Sequence, residues 1–433
     1  MEINPITPKK VHFVGIGGIG MSALAQYFKN QGVKVSGSDR EVSPVTELLE
    51  SESINVMIGQ KAENVPTDAE VVVYSDAVPE DNPERTRAKK LGIPQLSYFS
   101  MLGKVSEGKK TIAVAGTHGK TTTTGMLTKI LKDAGASPTA VVGSIVKDFG
   151  SNYVAGTSEL FVVEACEYRD HLLELSPQIL VITNLEWDHT DYFSSLEALQ
   201  ETFRKAITRV SAGGAIVTDP SNKNIAPLLR GVKARIIDYT KEPAYKLQLM
   251  GEFNQMNARA AAAAARVAHP AVSDDTIYES LAAFQGTWRR FEYKGKTVRG
   301  ADVYDDYAHH PTAVHVTLKA LRATVKGKIF VAFHPHLYSR THDLLDEFAT
   351  AFGDADRVFI APIYAARETD DGTISSEILA GRIRATGTDA TALDSFDAIE
   401  DALGEASKGD TIMTMGAGDI YKVADALVVH SKK

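Results

Sequence analysis

Short β-branched runs, each followed by a helical stretch, recur from one end of this 433-residue chain to the other. Strands spaced by whole helices cannot close into hairpins. They need crossover connections, and a mostly parallel sheet covered by helices satisfies them. The chain is also too long for one ordinary core, so the alternation predicts several such sheets. In a first block, VHFVG, KVSGSD and VVVYS alternate with SALAQYFKNQ and PVTELLESES. A second runs from TIAVAG through AVVG, LFVVEA, ILVITN, AIVTD and RIIDY to the alanine-rich helix NARAAAAAARVAH, ended by Pro270. ADVYDDYA, KIFVAFHP, RVFIAPIY and DTIMTMGAG supply the strands of a third. The expectation is an α/β protein of three domains, 1–105, 106–294 and 295–433.

Bulk composition narrows the function classes. Apolar residues at 44% and charged residues at 24% are ordinary globular usage. The net charge of -8, from 47 basic against 55 acidic side chains, provides no basic field for a nucleic-acid backbone, and no nucleic-acid partner is expected. MEINPITPKK lacks the apolar core of a signal peptide, and no apolar run is long enough to span a membrane. A lone cysteine, Cys166, cannot form an internal disulfide, which fits a reducing compartment. The expectation is a soluble cytoplasmic protein.

VHFVGIGGIG, Val11 to Gly20, delivers a strand into Gly15, Gly17 and Gly20, the spacing of a turn that brings backbone N–H groups to a dinucleotide pyrophosphate. Asp39 stands where a ribose-binding acid is expected, so an NAD enzyme is one reading. A second phosphate motif competes with it. TIAVAGTHGKTTTTGML runs from a strand through Gly116, Thr117, His118, Gly119, Lys120, Thr121 and Thr122 into a helix. Glycines that admit an anion, a helix N-terminus aimed at it and a lysine ammonium are what triphosphate binding needs, and the Thr121 hydroxyl suits Mg²⁺. Val114 occupies the place of the first glycine of the usual motif, which makes this a shortened loop. An oxidoreductase has no use for it.

LFVVEACEYRDHL ends a buried strand in Glu164 and Glu167, at the carboxyl edge where open α/β sheets bind ligands, and Glu164 is a candidate Mg²⁺ ligand. ILVITNLEWDHTDYF puts Asn184, Glu186, Asp188 and His189 past another strand. Alone, His189 reads as structural; beside a phosphate loop and Glu164 it reads as a ligand. Nothing nearby in sequence activates Cys166, so it reads as a packed thiol. In GEFNQMN, Asn254 and Asn257 either meet an adenine edge or cap a helix. GTWRRFEYKG sets Arg289 and Arg290 before the third block, as cations met on domain closure or as a solvated pair. VYDDYAHHPT supplies Asp305, Asp306, Tyr307, His309 and His310, and FHPHLYSRTHD supplies His334, His336, Arg340 and His342. Without cysteines or a helical histidine pair, these suit a polar substrate pocket better than zinc.

AGTHGKTTTT, VVEACEY, TNLEWDH, GEFNQMN, GTWRRFE, DDYAHHPT, FHPHLYSRT and GAGDI occur in the order and approximate spacing of the Mur ligases of peptidoglycan synthesis, and the chain resembles that family over essentially its whole length. The resemblance implies a Rossmann-like N-terminal domain for a UDP-sugar, a central P-loop ATPase-type domain, and a Rossmann-like C-terminal domain for the amino acid. It implies a ligase that joins L-alanine to UDP-N-acetylmuramate at the expense of ATP, through an acyl phosphate. The nearest alternative is the recycling ligase that adds a murein tripeptide, which resembles a form expanded between EACEY and TNLEWDH. On the family pattern, Lys120 stabilises the transferring phosphoryl group. Thr121 and Glu164 hold one Mg²⁺, and His189 with Glu164 holds a second. Asn254 and Asn257 contact adenine, and Arg290 reaches the phosphates. Asp306, Tyr307, His309, His336 and Arg340 line the amino-acid and transfer site. The Gly15, Gly17, Gly18 and Gly20 turn then passes to the UDP-sugar diphosphate, with Asp39 toward its ribose. Phe253 and Leu337 stand where many members carry a histidine and an arginine.

Overall fold

The computed structural model describes residues 8–428 apart from 212, 367 and 371. Its described residues build three sheets that fall into two compact units. The first unit draws on Met1–Leu185, Leu199–Lys246 and Asn257–Gln285, and the second on Glu186–Ala198, Leu247–Met256 and Gly286–Lys433. No helix among the described residues is long and apolar enough to cross a membrane.

The first unit carries two sheets. Strands β1 (Lys10–Val14), β2 (Lys34–Asp39), β3 (Asn55–Ile58), β4 (Val71–Tyr74) and β5 (Gln95–Ser97) pair in parallel in the order β3-β2-β1-β4-β5. Helices α1 (Ile19–Asn30), α2 (Pro44–Ser51), α3 (Pro83–Lys90) and α4 (Tyr98–Ser106) connect and flank them. Order reverses beside β1, so the glycine turn after it opens at a switch point, where such sheets leave a crevice. A buried carboxylate braces this turn from below. Glu84, with no exposed surface, meets His12 Nε2 at 2.9 Å and accepts from Ser38 Oγ at 2.8 Å and Asn64 Nδ2 at 2.7 Å. Ser38 in turn offers its carbonyl to the N–H groups of Gly15 and Ile16, at 2.8 and 2.9 Å. The pairing satisfies a buried charge that would otherwise be costly and fixes β2 against the turn.

The second sheet holds β6 (Lys110–Ala115), β7 (Thr139–Val146), β8 (Ser151–Val154), β9 (Leu160–Glu164), β10 (Ile179–Ile182), β11 (Ala215–Thr218) and β12 (Arg235–Asp238), ordered β12-β11-β10-β6-β9-β7-β8. Only the β7–β8 pair is antiparallel. Its middle strands are apolar on both faces, as helical cover on both sides requires, with Val114, Val162 and Val181 fully buried. Helix α5 (Lys120–Asp133) follows β6. Further along come α6 (Leu196–Thr208), α7 (Glu252–Ala268), which contains the alanine run, and α8 (Asp274–Ala283).

In the second unit, β13 (Glu292–Lys296), β14 (Asp302–Asp306), β15 (Ile329–Phe333), β16 (Arg357–Ile360), β17 (Asp389–Ala392) and β18 (Thr411–Met415) are ordered β13-β14-β18-β15-β16-β17. Edge strand β13 runs antiparallel and the rest are parallel. Helix α9 (Pro311–Arg322) leaves β14, and the short α10 (Tyr338–Asp343) follows β15. The DDYAHHP and FHPHLYSR segments therefore both emerge at the carboxyl edge, on either side of β18.

Candidate active site

In the first unit the loop from β6 to α5 has the backbone that anion binding demands. Gly116 has φ +126°, and a Cβ there would lie 2.2 Å from Thr183 Oγ1. Gly119 caps α5 with φ +79°, where a Cβ would fall 2.2 Å from Asn257 Oδ1. No other residue fits either position. Thr121 and Thr122 open the helix, and both are buried. Lys120 Nζ folds back to donate to the carbonyls of Gly116 at 2.5 Å and Thr117 at 3.2 Å, and to Glu167 Oε1 at 3.0 Å. Burial opposes the ammonium charge, but the Glu167 and Glu164 carboxylates more than offset it, and the lysine pKa lies above its ordinary value.

Glu164 ends β9 with both carboxylate oxygens engaged. Thr121 Oγ1 donates to Oε1 at 3.0 Å and the Gly143 N–H to Oε2 at 2.8 Å. Strand pairing of β6 with β9 puts Val114 opposite Glu164, which is why residues 43 positions apart share one hydrogen bond. A hydroxyl and a carboxylate oxygen side by side, next to a phosphate loop, form a hard-oxygen donor set that fits Mg²⁺.

Asn184, seen in sequence and given no role, clamps the loop. Its Oδ1 accepts the His118 N–H at 2.9 Å, its Nδ2 donates to the His118 carbonyl at 3.0 Å, and its own carbonyl accepts from the Thr117 N–H at 3.2 Å. Glu167 also proves to be the ammonium's partner. Burial first, and then the Glu167 charge, push the Cys166 thiol up to about 12, so it is no nucleophile at neutral pH. Asn257 Oδ1 accepts from Thr123 Oγ1 at 3.3 Å, so part of its amide packs against the loop helix.

At the glycine turn, the Gly17 N–H donates to Asp39 Oδ2 at 2.8 Å, and the Arg40 N–H to Oδ1 at 2.7 Å. Asp39 thus shapes the turn directly. Gly18 caps α1, and the Tyr98 ring covers Gly20 so closely that a Cβ would come within 2.5 Å of it.

In the second unit Asp188 and Arg340 form a buried ion pair at 2.9 Å, with side chains 6% and 3% exposed. Arg340 Nη1 also lies 3.1 Å from His336 Nδ1 and donates to the His336 carbonyl at 3.2 Å. Burial would raise the Asp188 pKa, yet Arg340 and the neighbouring histidines hold it well below the usual carboxylate range. His309 Nδ1 lies 2.9 Å from the Tyr307 carbonyl. A carbonyl only accepts, so Nδ1 carries the proton and Nε2 keeps a lone pair. Burial, then the Arg340 charge, push the His309 pKa well below its usual value, and the ring is neutral.

Arg289 is not solvated. Only 5% exposed, it donates to Asp305 Oδ2 at 2.9 Å and to the carbonyls of Gly418 and Gly416 at 2.8 and 2.6 Å, stapling the GAG loop to β14. Arg290 instead stands over the Tyr307 ring at 4.7 Å. Asp306 accepts the Phe291 and Ala308 N–H groups at 2.6 and 2.7 Å. Burial pushes its carboxyl up to about 6, with the Arg290 charge opposing. Asn254 Nδ2 donates to the Met250 carbonyl at 2.7 Å. Leu337 is buried and cannot replace an arginine's charge.

Backbone strain gathers in the same segments. Nine described non-glycine residues have left-handed φ, and six of them are Arg169, Asp170, His189, Arg289, Phe291 and Leu337, all in the motif segments. Such strain persists where surrounding structure over-determines it, commonly at functional sites.

Known proteins match the chain along these segments. The Mur ligase family catalytic-domain model matches residues 10–110, the Mur ligase middle-domain model 114–245, and the Mur ligase glutamate-ligase-domain model 289–418. The UDP-N-acetylmuramate--L-alanine ligase of Acetivibrio thermocellus is 40% identical, covering 98% of this chain and 96% of its own. That of Caldanaerobacter subterraneus subsp. tengcongensis is 38% identical over 100% of both. Among solved structures, the UDP-N-acetylmuramate-alanine ligase of Thermotoga maritima superposes with a TM-score of 0.80 at 28% identity, over 96% of this chain and 98% of that one. A murein peptide ligase from Psychrobacter arcticus gives 0.74 at 25%, over the same shares.

Proposed function

The chain belongs to the Mur ligase family, and from that premise we propose that it is the ATP-dependent ligase that joins L-alanine to UDP-N-acetylmuramate, giving UDP-N-acetylmuramoyl-L-alanine, ADP and phosphate in cytoplasmic precursor synthesis. The observation that carries this reading is the end-to-end match to L-alanine ligases, with Thr121 on Glu164 and Lys120 on Glu167 at the ends of β6 and β9. Three domains, 1–105, 106–294 and 295–433, divide the work among sugar nucleotide, ATP and amino acid.

A carboxylate is a poor electrophile and must be activated. The muramoyl carboxylate attacks the γ-phosphorus of ATP in line, ADP leaves, and an acyl phosphate forms. The amine of L-alanine then attacks the acyl carbon, and the tetrahedral intermediate expels phosphate. The phosphate loop, Gly116 to Thr122, holds the triphosphate, and the Lys120 ammonium exchanges its carbonyl partners for phosphate oxygens as charge develops on them. Thr121 and Glu164 would hold one Mg²⁺, and His189 would serve as a ligand to a second; bound cations would offset the repulsion between ATP and the incoming carboxylate.

Neutral His309 offers Nε2 to take the proton that the attacking amine releases. Arg340, His336 and Tyr307 shape the amino-acid pocket, Arg290 and Asp306 act at the transfer step, and Asn254 and Asn257 serve the adenine. Gly15, Gly17, Gly18 and Gly20 cradle the UDP diphosphate, with Asp39 toward its ribose.

Coupled ADP release, measured with UDP-N-acetylmuramate across a panel of amino acids and the murein tripeptide, tests the reading. L-alanine should support turnover. Release with tripeptide but not with L-alanine would establish the recycling ligase instead.

A further inference from the structure

The turn assigned to the diphosphate and the carboxylate beside the phosphate loop stand on different sheets of the first unit, and a buried polar seam joins them. Asn152 of β8 is 1% exposed. Its Nδ2 donates to the Ile19 carbonyl and, at 3.0 Å, to Ser22 Oγ. Gln26, also 1% exposed, donates from Nε2 to Asn152 Oδ1 at 3.0 Å, and Ser151 Oγ donates to Gln26 Oε1 at 2.8 Å. Ile19, Ser22 and Gln26, at i, i+3 and i+7, lie along one face of α1, the helix that Gly18 caps.

On the other side, β8 pairs with β7 through Val141 and Tyr153. Two residues along β7, the Gly143 N–H holds Glu164 Oε2, and Glu164 Oε1 receives the Thr121 hydroxyl. Side-chain hydrogen bonds and the backbone of the β7–β8 hairpin, whose ladder shifts register between Val141 and Val146, thus link the helix behind the glycine turn to the first residues of α5.

Apolar side chains could fill this seam without desolvating amides. Buried amides add direction, because each group must meet its partner in good geometry or cost about 1–3 kcal/mol. The seam therefore fixes the axial position and rotation of α1 against the hairpin. In-line transfer requires reacting atoms at about 3–3.5 Å, and a misplacement of about 1 Å far from the chemistry can cost roughly 100-fold in rate.

We infer that Asn152, with Gln26, is a positioning residue for the ligation: it sets where the sugar nucleotide's carboxylate stands relative to the phosphate loop. The inference rests on the reading under Proposed function. Steady-state kinetics of Asn152→Ala, Gln26→Ala and the milder Ser151→Ala test it, with each substrate varied in turn. Asn152→Ala should lower kcat at least tenfold and raise KM for UDP-N-acetylmuramate at least fivefold, while KM for ATP stays within twofold. Gln26→Ala should move the same two parameters, and the double variant should be little worse than the worse single one.

A seam that only supports folding would lower Tm and the active fraction and leave every KM unchanged, which would overturn the inference. If Asn152→Ala does not accumulate as folded protein, Gln26→Ala and Ser151→Ala decide on the same criterion. Absence of L-alanine-dependent ADP release in the wild type would instead refute the function itself.

Discussion

Lys120 Nζ stands 3.0 Å from Glu167 Oε1, and the same ammonium caps two carbonyls of its own loop. The cation of the phosphate loop is therefore held in place and charged before nucleotide arrives. Lys120→Ala should reduce ADP release by about 100- to 1000-fold, as losing a transition-state donor in a shielded site does. Far-UV circular dichroism should stay at the wild-type level, because Lys120 is the first residue of α5 and alanine keeps the helix propensity there. Undiminished turnover would refute the assigned role.

Asn184 holds both main-chain groups of His118, and Thr183 Oγ1 shares the carbonyl at 2.6 Å, so the His118 N–H depends on Asn184 more than the carbonyl does. Asn184→Ala leaves the chemistry-bearing side chains in place and loosens the cradle. Two lost hydrogen bonds at about 1 kcal/mol each correspond to a KM for ATP roughly tenfold to thirtyfold higher, with KM for L-alanine unchanged. Titration of the variant with ATP checks the value.

Asp188→Asn removes the counter-charge of Arg340 while keeping its shape. Breaking one side of a buried pair costs about 3–5 kcal/mol, so thermal unfolding of the variant should begin at lower temperature. Because Arg340 also touches His336, KM for L-alanine should rise more than KM for ATP. Equal changes in both would separate Arg340 from the amino-acid pocket.

Asp306 makes a pH-dependent contribution of known sign. Its folded pKa is raised to about 6, above the roughly 3.9 of an unfolded aspartate. Between those values the folded protein holds a proton that the unfolded chain has released. The group's stabilising contribution is therefore full below about pH 4 and declines as pH rises to about 6, by roughly 1.4 kcal/mol per pH unit at most. Denaturation measured from pH 4 to pH 8 should show this slope in the wild type, and Asp306→Asn should lack it.

Strands legible in the sequence are those with an apolar run, and these are nearly all interior. The missed strands β3, β5, β8, β13 and β17 are sheet edges. An edge strand packs on fewer sides and stays short and polar, as QLS and EYKGK do, so its hydrophobic pattern does not stand out. Strand β8 is the instructive exception. SNYV is buried, but by α1 of the other sheet's domain, and Asn152 reads as polar because its partners lie about 130 positions away.

Local spacing in the sequence determined the phosphate loop, the glycine turn, Glu164 at a strand end and the α/β class, because strand, turn and helix N-terminus are contiguous in the chain. Tertiary structure alone decided which groups partner them. Glu167 takes Lys120, Asn184 takes His118, Asp39 takes Gly17, Asp188 takes Arg340, and Arg289 turns inward to a staple. Those pairings depend on strand order and register. Parallel sheets bring together the carboxyl ends of strands distant in sequence, and a partner in space leaves no periodic mark in the segment it serves.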